Sequence, residues 1–161
     1  IDFFSAVDDL QSKDVSGAGM TGTLEFNSAT YYRFAALNLD MLADAHHLGA
    51  LDRAERQSVV RAFIEATIKA IPSARTNTMN GNTIPAYVLG VVRDKGHPVQ
   101  LVNAFENAVR PDQGYVAKSV ELLKKEYAKL VDTWGMMAVL EKTIPDVSIK
   151  VFLDGMVEHV I

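Results

Sequence analysis

Residues 1–42, IDFFSAVDDLQSKDVSGAGMTGTLEFNSATYYRFAALNLDML, decide how the fold is read. The segment opens on a short apolar run from Phe3 to Leu10, broken by Asp8 and Asp9. Gln11 to Gly22 then mixes Gly17, Gly19 and Gly22 with Ser12, Asp14 and Ser16. Glycine tolerates positive φ, and small polar residues favour turns, so this stretch predicts a projecting, hairpin-like loop. From Leu24 to Leu39 one alternate set holds Phe26, Tyr32 and Phe34, and the other Tyr31, Leu37 and Leu39. Large apolar groups in both sets predict a central strand covered on both faces over part of its length.

Working outward, Asp52 followed by Glu55 forms a capping-box signature, and Val59, Val60, Phe63, Ile64, Ile68 and Ile71 follow at helical spacing until Pro72. Asn77 to Asn82 reads as a turn-rich loop, and Ala86 to Val92 as an apolar strand closed by Arg93, Asp94, Lys95 and Gly96. Leu101 to Val109 fits either a helix or an irregular packed segment. The clearest helix runs from Tyr115 to Trp134, with Val116, Val120, Leu123, Tyr127, Leu130 and Trp134 on one stripe and Gly135 as its C-cap. Met136 to Leu140 suits a further strand. Asp146 or Ser148 caps a last helix whose Ile149, Phe152, Met156, Val157 and Val160 point inward. Strands alternating with helices in this order predict an α+β fold, with the helices on one face of the sheet.

The chain has 161 residues, suiting one domain, and 48% hydrophobic with 22% charged residues places it among globular proteins rather than disordered ones. No apolar run approaches the length of a membrane span, so a cytoplasmic protein without membrane contact is expected. Cysteine is absent, which excludes disulfides, a thiolate nucleophile and thiolate metal sites. Lys and Arg number 16 against 20 Asp and Glu, a formal net charge of −4. A polyanion partner is ordinarily met by a basic excess, so any phosphate contacts here must come from a few placed cations.

Particular blocks say more than composition. DFFxAVDDLQ and GTxEFxSxxYYRxAxxNLxxL, then IPSARTNTMNGNTIPAYVLG at residues 71–90 and LVNAFENAVRPDQGYVAKSVELLKKEYAKL at 101–130, resemble, in order, the CasC family. That family is the guide-RNA-binding backbone subunit of the type I-E CRISPR Cascade complex. Its members are considerably longer, and the chain opens on Ile1 rather than methionine, so it is expected to be the C-terminal portion of a longer protein. The resemblance implies a partial modified RRM-like (ferredoxin-like) palm, truncated at the N-terminus, with a projecting thumb loop. Residues 1–25 would be the thumb segment and 26–161 the palm. It also implies a protein that binds crRNA without regard to sequence and oligomerises along it head to tail. Its partners would be other Cascade subunits and, through the crRNA, target DNA.

Carried onto this sequence, the family's thumb-base motif falls on Phe3, Phe4, Ser5 and Val7, and Met20 and Thr21 precede the GTxEF block as the returning side of the loop. These six residues are the RNA-binding candidates. Aromatic stacking on a base contributes about 1–3 kcal/mol with little base preference, which suits a protein that accepts any guide. The Phe pair is equally compatible with a core role. Tyr31, Tyr32, Arg33 and Asn38 on the predicted strand suit either packing or RNA. Lys118, Lys124, Lys125 and Lys129, interleaved with Glu121 and Glu126, read as a solvated helix face. His46 and His47 lack the spacing of a metal pair, and His97 and His159 join no triad. No catalytic motif, metal site or cofactor is implied, and no enzyme is expected. The competing reading is a protein interaction module that uses an exposed sheet edge without RNA.

Overall fold

The computed structural model describes residues 1–6, 19–72, 76–110 and 114–161. The chain divides into two compact units, residues 1–29 with 74–81, and 30–73 with 82–161.

The first unit holds an antiparallel pair. Strand β1 (Asp2–Ala6) lies beside β2 (Met20–Leu24), with Phe3 opposite Thr23, Phe4 opposite Gly22, Ser5 opposite Thr21 and Ala6 opposite Met20. Gly22 has a packing reason: a Cβ there would lie 2.6 Å from Cζ of Phe4, whose ring reaches across the strand pair. The segments on either side of the glycine-rich stretch therefore pair, while the loop expected between them lies outside the described residues.

The long strand expected from Leu24 to Leu39 is not. Regular pairing ends at Leu24, and residues 25–38 form neither strand nor helix. Alternation reports that both sides of a segment are apolar, but a strand also needs a partner backbone. Here the side chains make individual attachments instead. Tyr32 accepts a hydrogen bond from the Leu101 amide at 2.9 Å, and Arg33 donates to the carbonyls of Thr67 and Ala70. Asn38 accepts from the Met41 amide at 3.0 Å and so caps the short helix α1 (Leu39–Leu42).

Helix α2 (Arg53–Lys69) starts where its capping box predicts. The Asp52 carboxylate accepts from the Glu55 amide and the Glu55 carboxylate from the Asp52 amide, both at 2.9 Å. The helix ends before Ala70, short of Pro72, which has no amide to continue it. Asp52→Ala is expected to lower stability by about 1 kcal/mol, read as an earlier urea midpoint with an unchanged slope.

Strand β3 (Val88–Val92) pairs antiparallel with β4 (Leu140–Ile144). Between them come a 3-10 turn (Val102–Phe105) and α3 (Val116–Trp134), after which Gly135 takes the left-handed conformation, φ 61°. The turn resolves the ambiguity at 101–109 in favour of a mostly irregular packed segment anchored by buried Leu101. The strand expected at Met136–Leu140 begins only at Leu140. The preceding residues make the reversal, with the Met137 amide bonded to the Gly135 carbonyl and Val139 to that of Val92, both at 2.8 Å. Helix α4 (Ile149–Val157) is capped by the Ser148 hydroxyl, which accepts from the Val151 amide at 3.3 Å.

The core lies on either side of α4. Phe152, Leu153 and Met156 are buried against Val88 and Val92 of β3, Leu140 and Ile144 of β4, and Ile64 and Ile68 of α2. Val157 and Val160 join Val60, with Leu39 and Leu42 packed around them. Gly90 makes this approach possible, because a Cβ there would lie 2.7 Å from Cε2 of Phe152 and 2.9 Å from the Met156 sulfur. Polar attachments fix α4 along α2. Arg53, Arg56 and Gln57 donate to the carbonyls of Glu158, Val160, Ile161 and Val157, and Arg61 pairs with Asp154.

Helix α3 meets the other sheet face. The alternation that turns Val88, Gly90 and Val92 toward α4 turns Tyr87 and Glu141 away from it. Tyr127 donates to the Glu141 carboxylate, and the Lys124 ammonium stands 5.2 Å from the Tyr87 ring centroid. The expectation of helices on one face is thereby corrected. Burial, followed by the hydrogen bond to Glu141, raises the Tyr127 pKa well above the usual phenol value and holds the hydroxyl protonated as a donor.

Candidate nucleic-acid interface

The register of β1 and β2 sorts the candidate residues onto two faces. Phe3, Ser5, Thr21 and Thr23 share one, because directly opposed residues and residues two apart in a strand point the same way. Asp2, Phe4, Ala6, Met20, Gly22 and Leu24 share the other. Phe3 is 77% exposed and Met20 57%, whereas Phe4, lying over Gly22, is 40% exposed. Ser5 and Thr21 are exposed as well. Neither phenylalanine of the pair is core. Val7, and the loop residues up to Ala18, lie outside the described residues.

An exposed ring and an exposed thioether thus stand on opposite faces of this strand pair. The residues of β1 and β2 include no Lys or Arg, and Asp2 is their only charged side chain. The side chains of these two strands therefore offer stacking, apolar contact and hydroxyl groups.

The remaining candidates sit elsewhere and mostly hold structure. Tyr31 is 80% exposed, but Tyr32 packs on Phe105 with ring centroids 5.8 Å apart, and its hydroxyl is taken by Leu101. Arg33 is committed to the C-terminal carbonyls of α2, the negative end of the helix dipole. Asn38 is a cap. Among the lysines, Lys118 pairs with Glu121, Lys129 with Glu126, and Lys124 sits on Tyr87; Lys125 is exposed. The His46 amide donates to the Asp44 carboxylate at 2.8 Å, a local turn contact. His47 lines a shallow groove with Leu37, Met41 and Leu42. Among the described residues no three His, Asp or Glu side chains gather as metal ligands, and no helix is long and apolar enough to cross a membrane.

Thr23 escapes sequence reasoning. Its place beside Phe3 depends on the hairpin register, and the register depends on loop geometry that the composition of the glycine-rich stretch does not specify.

Comparison with known proteins places these elements in a lineage. No curated protein sequence matches the chain. A chain of a CRISPR RNA-guided surveillance complex shares the fold with a TM-score of 0.80 at 25% identity, over 99% of this chain and 64% of its own length. A chain of a pre-nicking CRISPR RNA-guided surveillance complex gives a TM-score of 0.78 at 26% identity, over 99% of this chain and 46% of its own. The chain thus spans less than two thirds of either relative. Likeness over nearly every residue here fits the expectation of a partial RRM-like α+β fold. The model of the CT1975-like proteins matches residues 1–151, from β1 into α4, and the chain belongs to the CT1975-like family.

Proposed function

We propose that the chain is part of a CRISPR-associated backbone subunit, of the CasC kind in type I-E Cascade, that binds crRNA and repeats along it. Residues 1–25 act as the thumb and 26–161 as the palm. The observation that carries this reading is the strand pair β1–β2, with Phe3 and Met20 both exposed to solvent on it. Membership of the CT1975-like family and likeness to chains of RNA-guided surveillance complexes support it.

A side chain inserted beside a base replaces part of the stacking it disrupts and does so for every base, because each presents a π-face. Such a subunit leaves sequence to base pairing and holds the guide by shape, while the guide pairs with target DNA. Copies related by a non-closing, head-to-tail operation build a filament, and RNA length limits the number of copies. The protein acts as a scaffold rather than an enzyme, alongside other Cascade subunits in the cytoplasm.

The test is filter binding of the chain to adenine-rich and uridine-rich single-stranded RNA at two salt concentrations. The expected result is binding to both RNAs within a few-fold of each other and weaker at the higher salt. Absence of RNA binding at low salt, or strong preference for one sequence, overturns the proposal and leaves a protein interaction module as the reading to pursue.

A further inference from the structure

The two hairpin faces differ in chemistry. The face shared by Phe3, Ser5, Thr21 and Thr23 offers one exposed ring and three exposed hydroxyls and carries no charge. Asp2 belongs to the opposite face, as does Phe4, whose ring covers Gly22 there. Same-strand neighbours on a face stand about 7 Å apart, and opposed pairs have Cβ atoms about 5 Å apart. Thr23 therefore flanks Phe3, while Ser5 and Thr21 continue the row. A face without cations is poorly suited to gripping phosphate. A hydroxyl that both donates and accepts matches a ribose 2′-hydroxyl, which does the same.

We propose that this face selects RNA over DNA: Phe3 stacks on a base while the hydroxyls of Thr23, Thr21 and Ser5 bond to the 2′-hydroxyls of the adjoining riboses. The inference rests on the RNA-binding reading above and adds to it the identity of the sugar. Stacking alone is indifferent to the sugar, so the hydroxyl row is the element that discriminates.

The experiment compares the unaltered chain with the double variant Thr21→Val, Thr23→Val. Valine keeps the shape and the strand preference of threonine, so the hairpin is retained. Binding is measured to a single-stranded RNA and to the DNA of the same sequence, at one salt concentration. Each lost hydrogen bond is expected to lower RNA affinity about fivefold, roughly 25-fold for the pair, with DNA affinity unchanged. Phe3→Ala, by contrast, should weaken RNA and DNA alike. RNA binding that persists with the same RNA-to-DNA ratio in the valine variant overturns the inference and leaves the RNA reading standing. Equal affinity of the unaltered chain for the two polymers also overturns it. No RNA binding by the unaltered chain overturns both.

Discussion

Phe152→Ala, which truncates the largest fully buried side chain among the described residues, is expected to lower the stability of the chain by about 3–5 kcal/mol. Phe152 is 2% exposed and reaches from α4 into the space that Gly90 leaves open in β3. It also touches the layer formed by Val88, Val92, Leu140 and Ile144. Truncation removes transfer energy and leaves a cavity between a helix and a sheet whose backbones are fixed by hydrogen bonds, so collapse is limited. A domain of this size is stable by only about 5–15 kcal/mol, and the variant should therefore unfold at a much lower urea concentration.

A second substitution makes the argument specific to the contact. Gly90→Val alone crowds Phe152 and Met156, because even a Cβ at that site falls under 3 Å from both. Overpacking of this kind costs about 1–3 kcal/mol. In the double variant the valine methyls occupy part of the cavity left by the phenyl ring. The two losses should then fall short of their sum by about 1 kcal/mol or more. Additive losses, or a Phe152→Ala loss below about 1 kcal/mol, would show that the ring does not seat on Gly90.

The parts of this fold that are local in sequence are legible there. The Asp52–Glu55 box, the stripe from Val116 to Trp134 with Gly135 after it, and a cap at Asp146 or Ser148 each depend on residues within a turn or two; each helix starts where these place it, with Ser148 as the last cap, while α2 ends at Lys69, short of the Ile71 its spacing includes. The misplaced elements are strands. Residues 25–38 alternate convincingly yet form no strand with any described segment, and β4 begins at Leu140 because Met136 to Val139 are consumed by the reversal. Pairing is a relation between distant segments, and alternation within one segment carries no record of the other.

The candidate interface divides in the same way. That the chain reverses between two paired segments is legible from glycine and polar content, and β1 and β2 pair on either side of that stretch. Which of two neighbouring phenylalanines faces outward is not, because adjacent strand residues point to opposite faces and either assignment satisfies the pattern. The register separates them, setting Phe3 beside Thr23 on one face and Phe4 over Gly22 on the other. Tyr32 and Arg33 illustrate the converse. Their types suit a nucleic-acid surface, yet their polar atoms are spent on Leu101 and on the end of α2.

Phe3→Ala combined with Met20→Ala is expected to weaken single-stranded RNA binding by roughly 30- to 1000-fold, taking stacking at about 1–3 kcal/mol and the thioether contact at about 1 kcal/mol. The two side chains stand on opposite faces of the strand pair, so together they account for apolar contact on both of its faces. Their exposures of 77% and 57% mean that little native packing is lost, and the urea midpoint should stay within the range of surface substitutions. Phe4→Ala serves as the contrast. Its ring is the cover of Gly22, so its loss loosens the hairpin itself and lowers RNA affinity by way of disorder, visible as faster amide exchange in β1 and β2. If the Phe3 and Met20 double variant binds RNA as tightly as the unaltered chain, the finger does not meet the guide through these groups. The exposed ring and thioether would then belong to a contact with protein, because apolar side chains held on a marginal hairpin still require a surface to cover them.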